Sequence, residues 1–591
     1  MDEEIRSFLD AKFQIEPIEG EDKVCSLQDA IHNNVRPGQS IHIANKAGAL
    51  FFQLVREFWG SRPAFTLISP ALSDCLLMLI RGGLLKKAIV SFAGNFYPAP
   101  EPNPLVQKAY ISDAVEFENW SLLTLTQRLM AGALGWEFIP TRSLLGSSME
   151  EENREDFRVL KSPFGSGQKG GLLRALHPDI TLVHGLAADR SGNTILPHPL
   201  GIDACGAWAS KEGVIVSVEH IVPTDYIRSH SHLVRIPSYM VKAVCEVTYG
   251  AHPGGLANNG IPQFEGYYDD YEFLTMVRDA SLNEDRFMSF IHEWVLSLHN
   301  QQEYLEKLGK DRLRYLKEKV KLHSWVVETM AAVPGVEFKK ESNSLERMII
   351  AGSRHIADVC RNRGYKTILA GAGPANLAAW MAAYRLRHEK VGADLVSEIG
   401  MFGYLPRPSD PAIFGMQHLP SCKMLCNAET VLGVLAGGSS ASCLGVLGAA
   451  QVDKYGNGNS TKVPHVYYML GSGGANDVAS ACRESVVFTP LGKERLTEKV
   501  SYITFPGHNV KTLITDVGIF EKLNGQDTFT LTAYIPYGTA IREDEAIKGI
   551  KRLMGWNVEV APQLKKLDLP SYEEKMMLRL FDPQGIYTKV K

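Results

Sequence analysis

The chain has 591 residues, 45% of them hydrophobic and 22% charged, with a formal net charge of −4 at pH 7. That length suits roughly three or four structural units with sizeable cores, and the balance is that of a soluble globular protein. No basic excess points to a nucleic-acid partner, and no apolar run is long enough to span a bilayer, the most apolar tract (430–450) being broken at 437–442.

The first thirteen residues are acidic and amphipathic and fit neither a signal nor a transit peptide. Nine cysteines are scattered without a regular framework, as in a cytoplasmic protein with reduced thiols. Cys422 and Cys426 lack a second Cys/His pair at ligand spacing, so no metal site is expected there.

Apolar runs of strand length alternate with amphipathic helical stretches through both halves, the pattern of α/β architecture. Residues 40–44 read as a strand and 49–59 as an amphipathic helix; 65–68, 87–91, 180–183 and 213–218 continue the strand series. From about residue 283 to 330, charged and apolar residues mix at helical spacing and predict a helical connector. A surface joint at 333–344 follows, and the α/β pattern restarts at Arg347. The expected domains are therefore 1–340 and 341–591.

In the second half, residues 366–370 predict a strand, 376–387 an alanine-rich helix, and 393–397 a short buried strand. Glu398 stands at the carboxyl end of that strand, followed by Gly400 and Gly403, where a backbone bends sharply or lets a ligand approach. Open α/β proteins keep reactive groups at such strand ends. A solvated glutamate closing a surface strand is the competing reading.

Asp189-Arg-Ser-Gly-Asn193 returns as Asp453-Lys-Tyr-Gly-Asn457, 264 positions later. These are common turn residues. Each copy, however, follows an apolar strand after a helical region, which points to two related halves.

Gly371-Ala-Gly-Pro-Ala-Asn376, between strand and helix, invites a dinucleotide reading and with it a flavin or nicotinamide oxidoreductase. Against this, Asn376 holds the third glycine position. Glu398 also lies 27 residues after Gly371, beyond the fingerprint's roughly 20. A tight strand-to-helix turn is the plainer reading. Gly471-Ser-Gly-Gly-Ala-Asn-Asp477 leads into a second helical run, with backbone N–H groups ready for an anion and Asp477 suited to cap the helix. His230 and His232 have no companion ligands, and His252 lies in a turn-rich loop. No Gly-x-Ser-x-Gly elbow, Walker loop or His-Glu-x-x-His helix is present.

Taken in order, these residues resemble the class I coenzyme A transferases, closest to the glutaconate CoA-transferase branch. In the first half the likeness is carried by Glu116-Phe-Glu-Asn-Trp120, residues 131–146, Ala188–Asn193, Val218-Glu-His-Ile221 and Gly250-Ala-His-Pro253. In the second half it is carried by Ser397-Glu-Ile-Gly400, residues 448–459, Gly471–Asp477 and Thr504-Phe-Pro-Gly507. Two departures stand out. Ile399 replaces the asparagine common after the glutamate, and Asn45-Lys-Ala-Gly48 stands where a glycine-phenylalanine loop is typical.

The resemblance implies two similar open α/β halves on one chain, with coenzyme A as a substrate and no permanently bound cofactor. It implies Glu398 as the nucleophile of ping-pong transfer through a glutamyl-CoA thioester. Acyl-CoA and small carboxylates are the expected substrates, and a homodimer or higher homo-oligomer of fused chains the expected assembly. Gly473, Gly474, Gln451 and Asn457 are the candidates for oxyanion or CoA binding. Relatives of this fold also hydrolyse or decarboxylate CoA esters; on that alternative Glu116 and Glu118 are the secondary acid–base candidates, otherwise structural carboxylates.

Overall fold

A strand covered on both faces needs apolar residues at nearly every position, and all nine residues of Ile180–Ala188 are buried. This strand lies at the middle of the first of two large sheets. The computed structural model describes residues 2–13, 20–523, 525–536 and 543–589. In the first half the elements that matter are β1 (Ser40–Ile43), α1 (Gly48–Phe58), β2 (Phe65–Leu72), β3 (Leu85–Ala93) and β4 (Glu116–Asn119). They are followed by α2 (Leu122–Ala133), β5 (Ile180–Ala188), β6 (Gly213–Ile221) and β7 (Val241–Glu246). These strands pair in the order β4-β3-β2-β1-β5-β6-β7, all parallel.

The second half repeats the plan. Here α3 (Ser344–Arg363), β8 (Thr367–Ala370), α4 (Pro374–His388), β9 (Asp394–Ser397) and β10 (Met401–Tyr404) precede β11 (Cys443–Gly448), α5 (Ala475–Ala481), β12 (Glu484–Phe488) and β13 (Val510–Ile514). The run β9-β8-β11-β12-β13 is parallel throughout, matching β2-β1-β5-β6-β7 of the first sheet. Register agrees as well. Ile41 pairs with Ile180 and Ile368 with Leu444, and Ile180 and Leu444 stand the same 264 positions apart as the two turns.

Those turns are built alike. Asp189 Oδ1 accepts the N–H groups of Gly192 and Asn193, and Asp453 Oδ1 those of Tyr455 and Asn457. The Asn193 and Asn457 side chains each donate to the aspartate's other oxygen, at 2.7 and 3.0 Å. The fold is thus the tandem pair of open α/β layers that the pattern predicts.

One apolar core is contributed by both halves: Trp120, Leu125 and Leu129 pack in the same cluster as Val396, Leu432, Val478 and Phe505. The expected connector forms helices at Glu284–Ile291, Gln301–Leu308, Lys310–Lys319 and Ser324–Ala332. Its Arg312 donates to both oxygens of Asp270, at 2.5 and 2.8 Å, and Asp270 also pairs with His252 Nε2 at 3.0 Å. The connector is therefore anchored to the loop around residue 252. Among the described residues no helix is long and apolar enough to cross a membrane.

Candidate active site

Small residues let a strand end and a helix N-terminus meet closely. At Gly400 (φ +120°) the chain turns directly after Glu398, and a Cβ there would overlap the Cys426 carbonyl. At Gly474 an added Cβ would overlap Glu398 Oε2 itself. Glu398 therefore sits at the end of β9 with its carboxylate against the loop that opens α5. It lines a cavity of about 380 Å³ whose walls come from both halves. The first half supplies residues 45–48, Pro70, Phe92, Phe96, Tyr97, Leu122 and the 251–257 loop; the second supplies Glu398, Ile399, Phe414, Met416 and Gly473.

Burial pushes the Glu398 carboxyl up to about 7, the neighbouring Asp477 adds to the rise, and the Gly474 N–H opposes it. Asp477 is itself raised to about 6 by burial, against the hydrogen bonds it accepts. A carboxylate near its ionisation point at neutral pH, in a mainly apolar cleft, has the character of a reactive group.

Asp477 does not cap its own helix: the N-cap position of α5 is Gly474, without a side-chain hydrogen bond. Its carboxylate instead crosses to the first half, accepting from Ser121 Oγ at 2.5 Å, Leu123 N at 2.9 Å and Ser143 Oγ at 2.7 Å. Ser121 is the N-cap of α2, so the second half's acid satisfies the helix N-terminus of the first. The Leu122 N–H donates to the Gly473 carbonyl at 2.9 Å, and Leu144 N to Asn476 Oδ1 at 2.8 Å.

The remaining expected residues separate into two groups. Gly473 lines the cavity, but its N–H is donated to the Ser91 carbonyl at 2.9 Å, so it is not an open oxyanion donor. The Gly474 N–H faces Glu398. Gln451 and Asn457 lie off the cavity and serve turn structure instead. Gln451 bridges Asn459 and the Glu494 carbonyl, both at 3.0 Å, and Asn457 joins Asp453 to the Gly507 N–H.

Glu116 and Glu118 also lie elsewhere. Lys87 pairs with both, at 2.9 and 2.6 Å, and Arg128 with Glu118 at 2.9 Å. Burial works against the Glu118 charge, yet Arg128 and Lys87 hold its carboxyl below the ordinary range. These are structural ion pairs. The glycine turn 371–376 also lies off the cavity: Gly373, at φ +99°, is the N-cap of α4, and buried Asn376 donates to the Pro411 carbonyl at 3.2 Å.

Asp74 and Asp203 escape the sequence reading, whereas the 45–48 loop is already marked there as standing in place of a glycine-phenylalanine loop. The 45–48 loop forms part of the wall where α1 begins, and that helix has no side-chain cap. Asp74 and Asp203 line the cavity with carboxyls raised by burial to about 6 and about 7. Asp74 follows the end of β2, and extending the internal repeat to strand ends would have drawn notice to that region.

Residues 24–247 match the family described as Coenzyme A transferase. An uncharacterized protein of Archaeoglobus fulgidus is 27% identical over 297 residues, the match taking in 49% of this chain and 62% of that protein, so less than two thirds of its length is spanned. The glutaconate CoA-transferase of Acidaminococcus fermentans is matched in both of its polypeptides. One is 28% identical over 315 residues (50% of this chain, 94% of that polypeptide), and the other 35% identical over 110 residues (15% and 41%). An acyl-CoA transferase structure from E. coli O157:H7 shares the fold along 96% of this chain and 98% of its own, with a TM-score of 0.61 at 15% identity. Two tandem layers, a cleft between them and likeness to both polypeptides of one enzyme point the same way: the chain is similar to the coenzyme A transferases in both halves, with counterparts of both polypeptides on one chain.

Proposed function

We propose that the protein moves coenzyme A between an acyl-CoA thioester and a carboxylic acid, with Glu398 as the covalent carrier. The observation that carries this reading is the seating of Glu398: a carboxylate near its ionisation point, facing a cleft built by both halves. Ionised Glu398 attacks the thioester carbonyl, giving a mixed anhydride and releasing CoA thiolate. The thiolate then attacks the glutamyl carbonyl, leaving Glu398 as a CoA thioester and freeing the first acid. An incoming carboxylate attacks that thioester, forming a second anhydride and expelling the thiolate. Attack of the thiolate on the new acyl carbonyl yields the new acyl-CoA and restores Glu398. Holding the partners in one cleft supplies the effective concentration a weak nucleophile needs.

When the thiolate attacks the glutamyl carbonyl, negative charge gathers on the oxygen that the Gly474 N–H already faces. Such a donor is worth about 3 kcal/mol at the transition state. For the acyl carbonyl we assign the uncapped N-terminus of α1. There the N–H groups of Asn45, Ala47 and Ala49 are taken by Asp203, Ala44 and Gly250, and those of Lys46 and Gly48 are not among these engaged donors. The hydrolase and oxidoreductase readings have less support, because Glu116, Glu118 and the 371–376 turn all lie off the cavity.

Intact-protein mass spectrometry after incubation with an acyl-CoA, without acceptor, tests the chemistry. A covalent CoA adduct on Glu398 is expected in the wild type and none in Glu398→Ala, which loses transfer. A fully active Glu398→Ala removes the mechanism, and release of free acid without a carboxylate acceptor would point to hydrolysis.

A further inference from the structure

Around Glu398 the cavity wall is aromatic and contributed by both halves. Phe96 of the first half stacks on Phe414 of the second, with centroids 5.6 Å apart and planes within 1°. Phe92 meets Phe96 edge-on at 6.0 Å. Beside them Tyr97 stacks on Tyr271 at 4.1 Å.

The charges facing the same space are unevenly matched. Among the described residues lining the cavity, Lys46 is the one lysine or arginine. Its Nζ lies 3.3 Å from Asp269 Oδ1, which also accepts the Gly255 N–H at 2.7 Å. Asp74 and Asp203 face the cavity from the same half as Lys46. A carboxylate at the far end of an acyl chain would lose its water here and meet carboxyl groups, with the lysine already engaged. Burying a charge on those terms costs several kcal/mol. A methyl or phenyl terminus gains from the same wall.

We propose that the acyl group handled at this site is an apolar monocarboxylic one, aryl or medium-length alkyl, and that chains ending in a second carboxylate are rejected. The proposal deepens the transferase reading and rests on it for the identity of the site. Specificity of this kind comes as much from a penalty on the wrong ligand as from contacts with the right one.

The test uses hexanoyl-CoA and adipyl-CoA, which differ only in a terminal methyl against a terminal carboxylate, with phenylacetyl-CoA as the aryl probe. Binding of each to full-length Glu398→Gln is measured calorimetrically, so preference is read without covalent chemistry. Hexanoyl-CoA and phenylacetyl-CoA are expected to bind at least about 30-fold tighter than adipyl-CoA. Equal or tighter binding of adipyl-CoA, or binding of none of the three, overturns the proposal. Phe96→Lys in the same background should bring adipyl-CoA to within roughly threefold of hexanoyl-CoA, if the aromatic wall is what excludes the carboxylate. An unchanged ratio in a variant that still binds hexanoyl-CoA counts against it. Adduct formation by the wild type is scored separately. Its failure with every ester would sink the Glu398 chemistry while the binding preference still stands or falls by itself.

Discussion

On the proposed mechanism Glu398 must be ionised to attack, yet its surroundings favour the proton: burial and Asp477 lift it to about 7 against the pull of Gly474. Below that value each pH unit removes about tenfold of the ionised form, so the transfer rate is expected to fall with a unit slope on the acid side. Because Asp477 titrates nearby, the limb belongs to the pair. Asp477→Asn removes a negative neighbour and should move the limb to lower pH; a limb that stays in place would show that Asp477 does not set the nucleophile. The same shift bears on stability. A carboxyl whose folded pKa lies above its unfolded value binds its proton better in the fold, so stability present at low pH is lost as pH rises towards 7. Glu398→Gln carries no charge to bury. It is expected to be more stable than the wild type at pH 8 by on the order of 2 kcal/mol, with a smaller gain at pH 5.5, read as a higher unfolding temperature. Equal gains at both pH values would contradict the charge account.

At the scale of elements, the site is a strand end meeting a glycine-rich helix start, and the two were not equally legible. Periodicity placed β1, β5, β8 and β9 because buried parallel strands leave near-continuous apolar runs. The Asp-x-x-Gly-Asn echo announced the repeat because a turn's hydrogen bonds are local. Partners far apart in sequence were hidden. That Asp477 reaches Ser121, that Ser91 takes the Gly473 N–H, and that residues 45–48 wall the cavity all depend on how the two sheets dock. The ladder also shows what the repeat leaves unequal. Ser40 pairs with Thr66 and Thr367 with Asp394, a register that sets Pro70 where the second half has Glu398. The first strand runs on to Leu72, whereas β9 ends at Ser397. Only one of two similar strand ends therefore carries a glutamate. Gly474→Ala tests the meeting point, since a methyl there would displace the carboxylate from its N–H donor. Transfer should fall by at least about 100-fold with the melting temperature changed by only a few degrees, read by kinetics and calorimetry together. Retained activity would mean that the close approach is dispensable.

For the whole molecule, the question is whether residues 1–340 and 341–591 stand as separate folding units, the division the sequence suggests. Their own sheets favour it, but their shared contacts limit it. Without the second half, the Leu122 and Leu123 N–H groups at the start of α2 lose the Gly473 carbonyl and Asp477. Trp120, Leu125 and Leu129 lose Val396, Val478 and Phe505 from their cluster. Each buried polar group left without a partner costs about 1–3 kcal/mol, and exposed core adds more. Covalent linkage makes docking intramolecular, with an effective concentration that separate chains reach only when abundant. We therefore expect residues 341–591 alone to form no CoA adduct despite carrying Glu398. Co-expressed 1–340 and 341–591 should associate and recover adduct formation, with specific activity falling on dilution while that of the fused chain does not. An adduct on the isolated second half would mean that one lobe contains the whole site. A co-expressed pair that purifies together yet stays inactive at every concentration would place the border wrongly, inside a segment both halves need intact.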